Sequence, residues 1–73
     1  MQAIKVLQTI LARENVSAPT ISKRIGRNRA YVNTIFASES MPQTDTLVTI
    51  LDACGYDLIA RNRADGTEHV IEP

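Results

Sequence analysis

Apolar residues recur every three or four positions in four segments of this chain, and an α-helix with one buried face produces that spacing. The recurring residues are Ile4, Leu7 and Leu11, then Ile21 and Ile25, then Val32, Ile35 and Phe36, and finally Leu47, Ile50, Leu51 and Cys54. The predicted helices span residues 3–14, 17–26, about 29–37 and about 44–54. Cys54 falls on the buried stripe of the fourth helix and is interpreted as a small core residue.

Residues with special backbone preferences stand where these helices should begin and end. Ser17 is a good N-cap for the second helix, and Gly26 can take the positive φ of a tight turn. Asn28 is the predicted N-cap of the third helix. Gly55 follows the last apolar residue of the fourth helix and is expected to end it. The second and third helices are therefore short, adjacent and steeply crossed, which is a helix-turn-helix arrangement.

The residues after Gly55 change from helical to alternating spacing, which favours β-strands. Residues 56–62 make the first predicted strand and residues 69–71 the second, with Asp65-Gly66 as a strong signal for a two-residue hairpin turn. The cross-strand pairs that follow from such a turn are Arg63 with Glu68 and Ala60 with Ile71.

Both faces of this hairpin carry apolar side chains. Leu58, Ala60 and Ile71 share one face, which is expected to pack on the fourth helix, whereas Ile59 and Val70 lie on the other. A two-stranded hairpin alone is marginal, so the second face is expected to meet a partner, most simply another copy of the chain. The predicted dimer or partner contacts are Ile59, Arg61 and Val70.

The length of the chain and the distribution of its charges limit the classes of protein to which it can belong. Seventy-three residues suffice for one small domain, which buries only about 60% of its unfolded surface, and this favours a dimer. The eight basic and eight acidic side chains balance overall but are separated along the chain. Residues 1–40 hold six basic and two acidic residues, and residues 41–73 hold two basic and six acidic. Four of the basic residues lie between Lys23 and Arg29, which gives a local field that attracts a polyanion.

A family resemblance follows from these segments. The matching residues are Ile21 and Ser22, Ile25-Gly26, Val32, Ile35-Phe36, Pro42, Leu47, Ile50 and Leu51. With these residues, the stretch from Ala18 to Gly55 resembles the lambda-repressor-like (Cro/XRE-type) DNA-binding domains. The chain departs from the family at Ser22, where a small apolar residue is usual, and at Arg27, where an apolar residue is usual. The resemblance implies a mostly α fold, with a four-helix domain over residues 1–55 and its helix-turn-helix at about 18–37. The C-terminal β-hairpin over 56–73 is predicted from the alternating residues and departs from the commonest family pattern, in which more helix follows.

The outward side of the predicted third helix is small and polar, which suits entry into a major groove about 12 Å wide. Arg29 has the geometry to bind guanine and Asn33 to bind adenine, each through two hydrogen bonds, while Ala30 and the methyl group of Thr34 would meet thymine methyls. The resemblance also implies base contacts for Arg29, Ala30 and Asn33. The predicted contacts to the DNA backbone are Ser17, Thr20, Lys23, Arg27, Asn28, Tyr31 and Ser38, and those of Tyr31 and Ser38 are implied by the resemblance.

Catalytic and metal chemistry have little support in this sequence. His69 is the only histidine and Cys54 the only cysteine, so neither has partners for a metal or a nucleophilic site. We therefore expect no enzyme activity, no cofactor and no metal. The chain has no long apolar run, and we expect no membrane span and a cytoplasmic location.

Two hypotheses follow. The first is a sequence-specific repressor that binds double-stranded DNA as a homodimer, places the third helix in the major groove and regulates its own operon. Its small size is typical of a phage or mobile-element regulator. The alternative is an antitoxin or another interaction module whose C-terminal segment binds and neutralises a protein partner, such as a toxin or another regulator.

Overall fold

Residues 2–38 and 40–73 are described by a computed structural model, and over these ranges the chain forms four helices followed by one antiparallel hairpin. The elements are α1 (Ala3–Arg13), α2 (Ala18–Arg24), α3 (Tyr31–Ala37), α4 (Thr44–Ala53), β1 (Leu58–Arg61) and β2 (Glu68–Ile71). The predicted order of four helices and a C-terminal hairpin is confirmed. The predicted ends of α1, α2 and α4 agree with the structure to within two residues.

The core lies where the apolar stripes of the four helices meet. Its buried members are Leu7, Ile10, Leu11, Ile21, Val32, Ile50 and Leu51. Most of these belong to the predicted stripes, and Ile35, Phe36, Leu47 and Cys54 pack against them as half-buried neighbours. Val48 is buried although it lies outside the predicted stripe of α4, and Ile4 is only half-buried.

Three of the helices end in the same hydrogen-bonded motif, in which a residue of positive φ reverses the chain. After α2, Gly26 has φ 76° and Arg27 N–H donates to the Ser22 carbonyl at 2.9 Å. After α4, Gly55 has φ 81° and Tyr56 N–H donates to the Leu51 carbonyl at 2.9 Å. The predicted roles of both glycines are confirmed. After α1 the same position is held by Asn15, a non-glycine residue with φ 54°.

The start of α3 differs from the prediction. The helix begins at Tyr31, so Arg29 and Ala30 lie in the preceding turn. Asn28 does not cap α3 as predicted, because its side-chain oxygen accepts from Ala30 N–H at 3.0 Å and its carbonyl accepts from Tyr31 N–H at 3.1 Å. These two bonds close a turn in front of the helix, and that turn delays the helix by two residues.

The hairpin register also differs from the prediction. Arg61 pairs with Glu68 and Leu58 with Ile71, a shift of two residues, because the loop is longer than the two-residue turn expected from Asp65-Gly66. Asn62 N–H donates to the Thr67 carbonyl at 2.8 Å, and the residues between them form the loop. The Asp65 carboxylate accepts from both Thr67 N–H (3.0 Å) and its hydroxyl (2.8 Å), which stabilises the longer loop.

A shift of two residues leaves every side chain on its predicted face, because side chains alternate with a period of two. The packing of those faces is nevertheless different from the prediction. Only Leu58 is half-buried and packed against the helical core, whereas Ala60 and Ile71 are exposed. The face that was expected to lie on α4 is therefore largely open to solvent.

Candidate nucleic-acid interface

A buried serine joins α2 to α3. Ser22 has no exposed surface, and its hydroxyl donates to the Ala18 carbonyl one turn earlier at 2.9 Å. The same oxygen accepts from Val32 N–H at 3.0 Å. Val32 lies in the first turn of α3, where backbone N–H groups have no partner within the helix. Ser22 therefore acts as a cap for α3 supplied by the neighbouring helix, and it fixes the start of α3 relative to α2.

The N-terminal end of α2 carries the first group of predicted backbone contacts. The Ser17 hydroxyl oxygen lies 2.8 Å from that of Thr20 and accepts from Thr20 N–H at 3.3 Å, so Ser17 is the N-cap that was predicted. Lys23 lies one turn beyond Thr20 on the same helix, and all three residues are exposed. The structure thus places two hydroxyl groups and one ammonium group along one side of a short helix.

The predicted base contacts occupy the turn before α3 and its first turns. Arg29, Ala30, Asn33 and Thr34 are all exposed. The Thr34 hydroxyl donates to the Ala30 carbonyl at 2.8 Å, so its hydrogen is already used within the chain. Asn33 makes no side-chain hydrogen bond with another described residue, and its amide remains available to a ligand.

Arg27 and Tyr31 form a pair beside this segment. The Arg27 guanidinium carbon lies 5.0 Å from the centre of the Tyr31 ring, which is the geometry of a cation–π interaction. Arg27 is exposed and Tyr31 half-buried. Asp45 and Thr46, at the start of α4, line the same shallow cleft as this pair. The Arg27 guanidinium therefore lies over the Tyr31 ring on an exposed part of the surface.

The positive charges of this region have two different roles. Within residues 2–38 and 40–73, Lys23, Arg27 and Arg29 form no ion pair, so their charges are uncompensated at short range. Arg24 instead donates from Nη1 to the Ala53 carbonyl at the end of α4, at 3.3 Å. That contact joins residues far apart in the chain, and no sequence pattern indicated it.

Ser38, the last predicted backbone contact, lies at the C-terminal end of α3. It is exposed, and its hydroxyl oxygen accepts from Ser40 N–H at 3.1 Å. Ser38 N–H itself donates to the Thr34 and Ile35 carbonyls. Ser38 thus lies at the opposite end of α3 from Arg29 and Ala30.

The predicted dimer or partner contacts lie together on the hairpin. Ile59 and Val70 pair directly across the two strands and are 42% and 48% exposed. Arg61 pairs with Glu68 two residues nearer the loop, although no ion pair joins their side chains. These side chains share one face because each lies two residues from its neighbour along the strand.

Two ionisable groups near the end of α4, Cys54 and Tyr56, have raised pKa values. The Tyr56 hydroxyl donates to the Glu14 carboxylate at 2.9 Å, which joins the end of α1 to the residues before β1. That hydrogen bond is the main reason that the pKa of Tyr56 is raised. Burial raises the pKa of the Cys54 thiol, which keeps it protonated near neutral pH.

In the part of the chain that the structure describes, no cluster of three or more His, Cys, Asp or Glu residues is suited to hold a metal ion. The same part contains no helix with the length and apolar character needed to cross a membrane. Comparison with protein-family models, with curated proteins and with solved structures finds no match to this chain.

Proposed function

We propose that this chain is a sequence-specific double-stranded DNA-binding protein in which α2 and α3 form a helix-turn-helix of the Cro/XRE type. More particularly, it is a small homodimeric repressor of its own operon, of the phage or mobile-element kind. The observation that carries this proposal is the exposed polar segment at the start of α3, held to α2 by the buried Ser22 hydrogen bond. A fixed polar helix end of this kind is what recognition in a groove requires.

The chemistry of the segment supports reading of base edges. Arg29 precedes α3 and Asn33 lies on its first turn, and both side chains are exposed and polar. Guanidinium and amide groups match the hydrogen-bonding edges of guanine and adenine in the major groove. Because the Thr34 hydroxyl hydrogen is used by the Ala30 carbonyl, Thr34 would offer its methyl group, as Ala30 would, to a thymine methyl.

The surrounding groups support binding to the sugar-phosphate backbone. Hydroxyl and cationic groups of this kind hold a protein in register on a duplex without reading its sequence. Lys23 and Arg27 supply charge that is not paired within the described residues. The full set of proposed backbone contacts is Ser17, Thr20, Lys23, Arg27, Asn28, Tyr31 and Ser38.

The test is fluorescence anisotropy with DNA from upstream of the chain's own gene, against a scrambled duplex and at two salt concentrations. The wild type should prefer the native duplex and bind both less tightly as salt rises. Arg29→Ala/Asn33→Ala should lose at least about tenfold of that preference, because each base contact discriminates by about 1–3 kcal/mol. Equal, weak binding to both duplexes, unchanged in the double variant, would contradict reading by α3 at that site.

The matched control is Arg63→Ala/Gln8→Ala. This variant also removes one guanidinium and one amide, but from exposed positions on the hairpin loop and α1. It should weaken binding to both duplexes slightly and equally, leaving the preference intact. A similar loss of preference in this control would assign the effect to net charge instead of base reading.

The exposed hairpin favours a second candidate function, in which residues 56–73 bind and neutralise a protein partner such as a toxin. Ile59 and Val70 remain open to solvent and are flanked by charged residues, as at the rim of an interface. This candidate predicts that removing Arg61 to Pro73 abolishes protection against the product of a neighbouring gene, measured as cell growth on co-expression. Full protection by the truncated chain would contradict it.

A further inference from the structure

Among the helices and strands of the described chain, the large apolar side chains that are exposed all lie on the hairpin. Ile59, Val70 and Ile71 are 42%, 48% and 37% exposed, and Leu58 alone on the two strands packs against the helical core. Two strands without a covered face are marginal in water, whereas three or more strands with an apolar face are stable. The hairpin therefore gains most from pairing with further strands.

The outer edge of β1 is open for such pairing. In an antiparallel ladder, the N–H and C=O groups of successive residues point alternately toward the partner strand and away from it. Asn62 N–H donates to the Thr67 carbonyl, so the backbone groups of Asn62 point toward β2. Counting back by two, the backbone groups of Ala60 and Leu58 also point toward β2. The backbone groups of Ile59 and Arg61 consequently point outward from the free edge of the hairpin.

We propose that a second copy of this chain adds its β1 to this edge, antiparallel and centred on Ile59, so that two hairpins form one four-stranded sheet. The strand order is β2 and β1 of one subunit, then β1 and β2 of the other. Ile59 lies beside Ile59 of the partner subunit, and the two Val70 side chains continue the same face on either side. Four apolar side chains thus form one continuous row on that face of the sheet.

Charge complementarity selects this register. In antiparallel pairing about Ile59, Asp57 lies opposite Arg61 of the partner subunit, and the two-fold axis repeats the pair. Opposite charges directly across two strands stabilise pairing, and like charges oppose it. Arg61 is available for this contact because it forms no ion pair with Glu68, its neighbour within the hairpin, or with any other described residue.

The other edge of the hairpin is unsuited to the same contact. The outward backbone groups of β2 belong to Glu68, Val70 and Glu72 by the same alternation. Pairing of two β2 strands about Val70 places Glu68 opposite Glu72 of the partner subunit, and the axis repeats this repulsion. The charge pattern therefore favours β1 and disfavours β2.

The interface is small, because each subunit contributes one four-residue strand and an exposed apolar pair. Stable complexes usually bury about 800 Å² per partner, so this dimer is weak in free solution. Where the chain binds DNA as proposed above, two copies on adjacent half-sites raise each other's local concentration and complete the pairing. The inference deepens that proposed function in this respect, but the self-association itself needs no DNA.

The first test is sedimentation velocity of the full chain over a wide range of concentration, without DNA. The wild type should pass from monomer to dimer as concentration rises. Asp57→Arg and Arg61→Asp should each weaken dimerisation by on the order of tenfold, because each change creates two like-charge pairs. The double variant Asp57→Arg/Arg61→Asp restores opposite charges across the axis and should associate more tightly than either single variant, which also shows that the single variants are not merely misfolded.

The matched control is Glu72→Arg, which changes charge at the edge of β2. Its dimerisation should change by much less than the tenfold expected for the β1 reversals, because residue 72 lies across from Asp57 within one hairpin and not across the dimer axis. If Glu72→Arg instead strengthens association while the β1 reversals leave it unchanged, β2 is the contact edge and the proposal is overturned. A wild-type chain that stays monomeric at every concentration overturns it as well.

Disulfide crosslinking gives a second, geometric test in a Cys54→Ser background. Ile59→Cys should crosslink two chains under mild oxidation, because the axis brings the two residues opposite each other at about 5.5 Å between Cα atoms. Val70→Cys is the matched control, since Val70 is similarly exposed but lies one strand farther from the axis. Crosslinking of Val70→Cys without crosslinking of Ile59→Cys would overturn the proposed order of strands.

These measurements separate failure of the inference from failure of the proposed function. A monomer that still prefers its native duplex would overturn the β1 contact and leave DNA recognition in place. A β1-paired dimer without preference for that duplex would support the contact and count against recognition by α3 at that site.

Discussion

At the scale of single residues, Ser22 is the connection on which the orientation of α3 depends. The Ser22 hydroxyl oxygen accepts a hydrogen bond from Val32 N–H inside the core. An unpaired backbone donor there would reduce the stability of the fold. A small residue was expected at this position from the resemblance, but the bond itself was not predicted. The partner is a backbone group ten residues later, and neither spacing nor composition identifies such a pair.

Replacing Ser22 with alanine should destabilise the chain by about 2 kcal/mol, because Val32 N–H is then buried without an acceptor. Urea denaturation followed by circular dichroism measures the free energy of unfolding. Thr49→Ala is the matched control: the Thr49 hydroxyl donates to the Asp45 carbonyl at 2.8 Å, but on an exposed helix surface. The control should change stability by less than about 0.5 kcal/mol. Equal effects of the two variants would contradict a special role for Ser22.

Because the Tyr56 hydroxyl donates a hydrogen bond to Glu14, the free energy of unfolding should fall as the pH becomes alkaline. The pKa of Tyr56 is raised in the folded chain, chiefly because the phenol donates to that carboxylate. A raised pKa contributes stability that is present below the unfolded pKa, about 10, and is lost as pH rises through the folded pKa. Urea midpoints measured from neutral pH to above pH 10 should therefore fall more for the wild type than for Tyr56→Phe. Parallel curves would contradict the contact.

At the scale of elements, residues of positive φ end three helices: Asn15 follows α1, Gly26 follows α2 and Gly55 follows α4. A Cβ atom added at Gly55 would meet nothing within 4 Å, so any cost of a side chain there comes from the backbone conformation alone. Gly55→Ala should destabilise the chain by about 1 kcal/mol. Asn15→Gly should have the opposite sign, a gain of up to about 1 kcal/mol, because Asn15 already holds the same conformation after α1. Urea denaturation measures both, and a loss of stability in Asn15→Gly would contradict this explanation.

The elements that the sequence predicted correctly are those set by local chemistry. Apolar spacing located four helices, and Gly26 and Gly55 located two of their ends. The start of α3 and the hairpin register were wrong for a common reason: Asn28 and Asp65 bond to nearby backbone groups and stabilise longer turns than the shortest ones. Side-chain capping of this kind competes with regular structure, and residue type alone does not decide the outcome.

For the candidate site, the sequence predicts which side chains are exposed better than it predicts how they are arranged. Exposure of Asn33 and Thr34 follows from the apolar stripe of α3, because residues off that stripe face solvent. The stacking of Arg27 on Tyr31 and the contact of Arg24 with α4 join groups whose proximity depends on how the helices cross. The spacing of residue types along the sequence does not determine how two helices cross, so it does not predict these contacts.

At the scale of the whole molecule, the helical part and the hairpin are nearly independent. Only Leu58 among the strand residues packs on the helical core, and it lies before the segment Arg61 to Pro73. Deleting that segment should change the unfolding free energy of the helical part by about 1 kcal/mol or less. Differential scanning calorimetry measures this, and self-association should disappear in the same variant. Unfolding of the helices on deletion would contradict independent stability.

The contact of Arg24 with the end of α4 changes how the basic cluster should be counted. A cation that neutralises a phosphate displaces a condensed counterion, and each displaced ion steepens the dependence of affinity on salt. Arg24 instead lies against the Ala53 carbonyl, where it compensates the negative end of a helix dipole. If the chain binds DNA as proposed, Lys23, Arg27 and Arg29 are the clustered cations without such a contact to another described residue. Arg24 keeps its charge and its exposure, but its guanidinium is held at the end of α4, so fewer cations are free to move onto a phosphate than the sequence alone suggests.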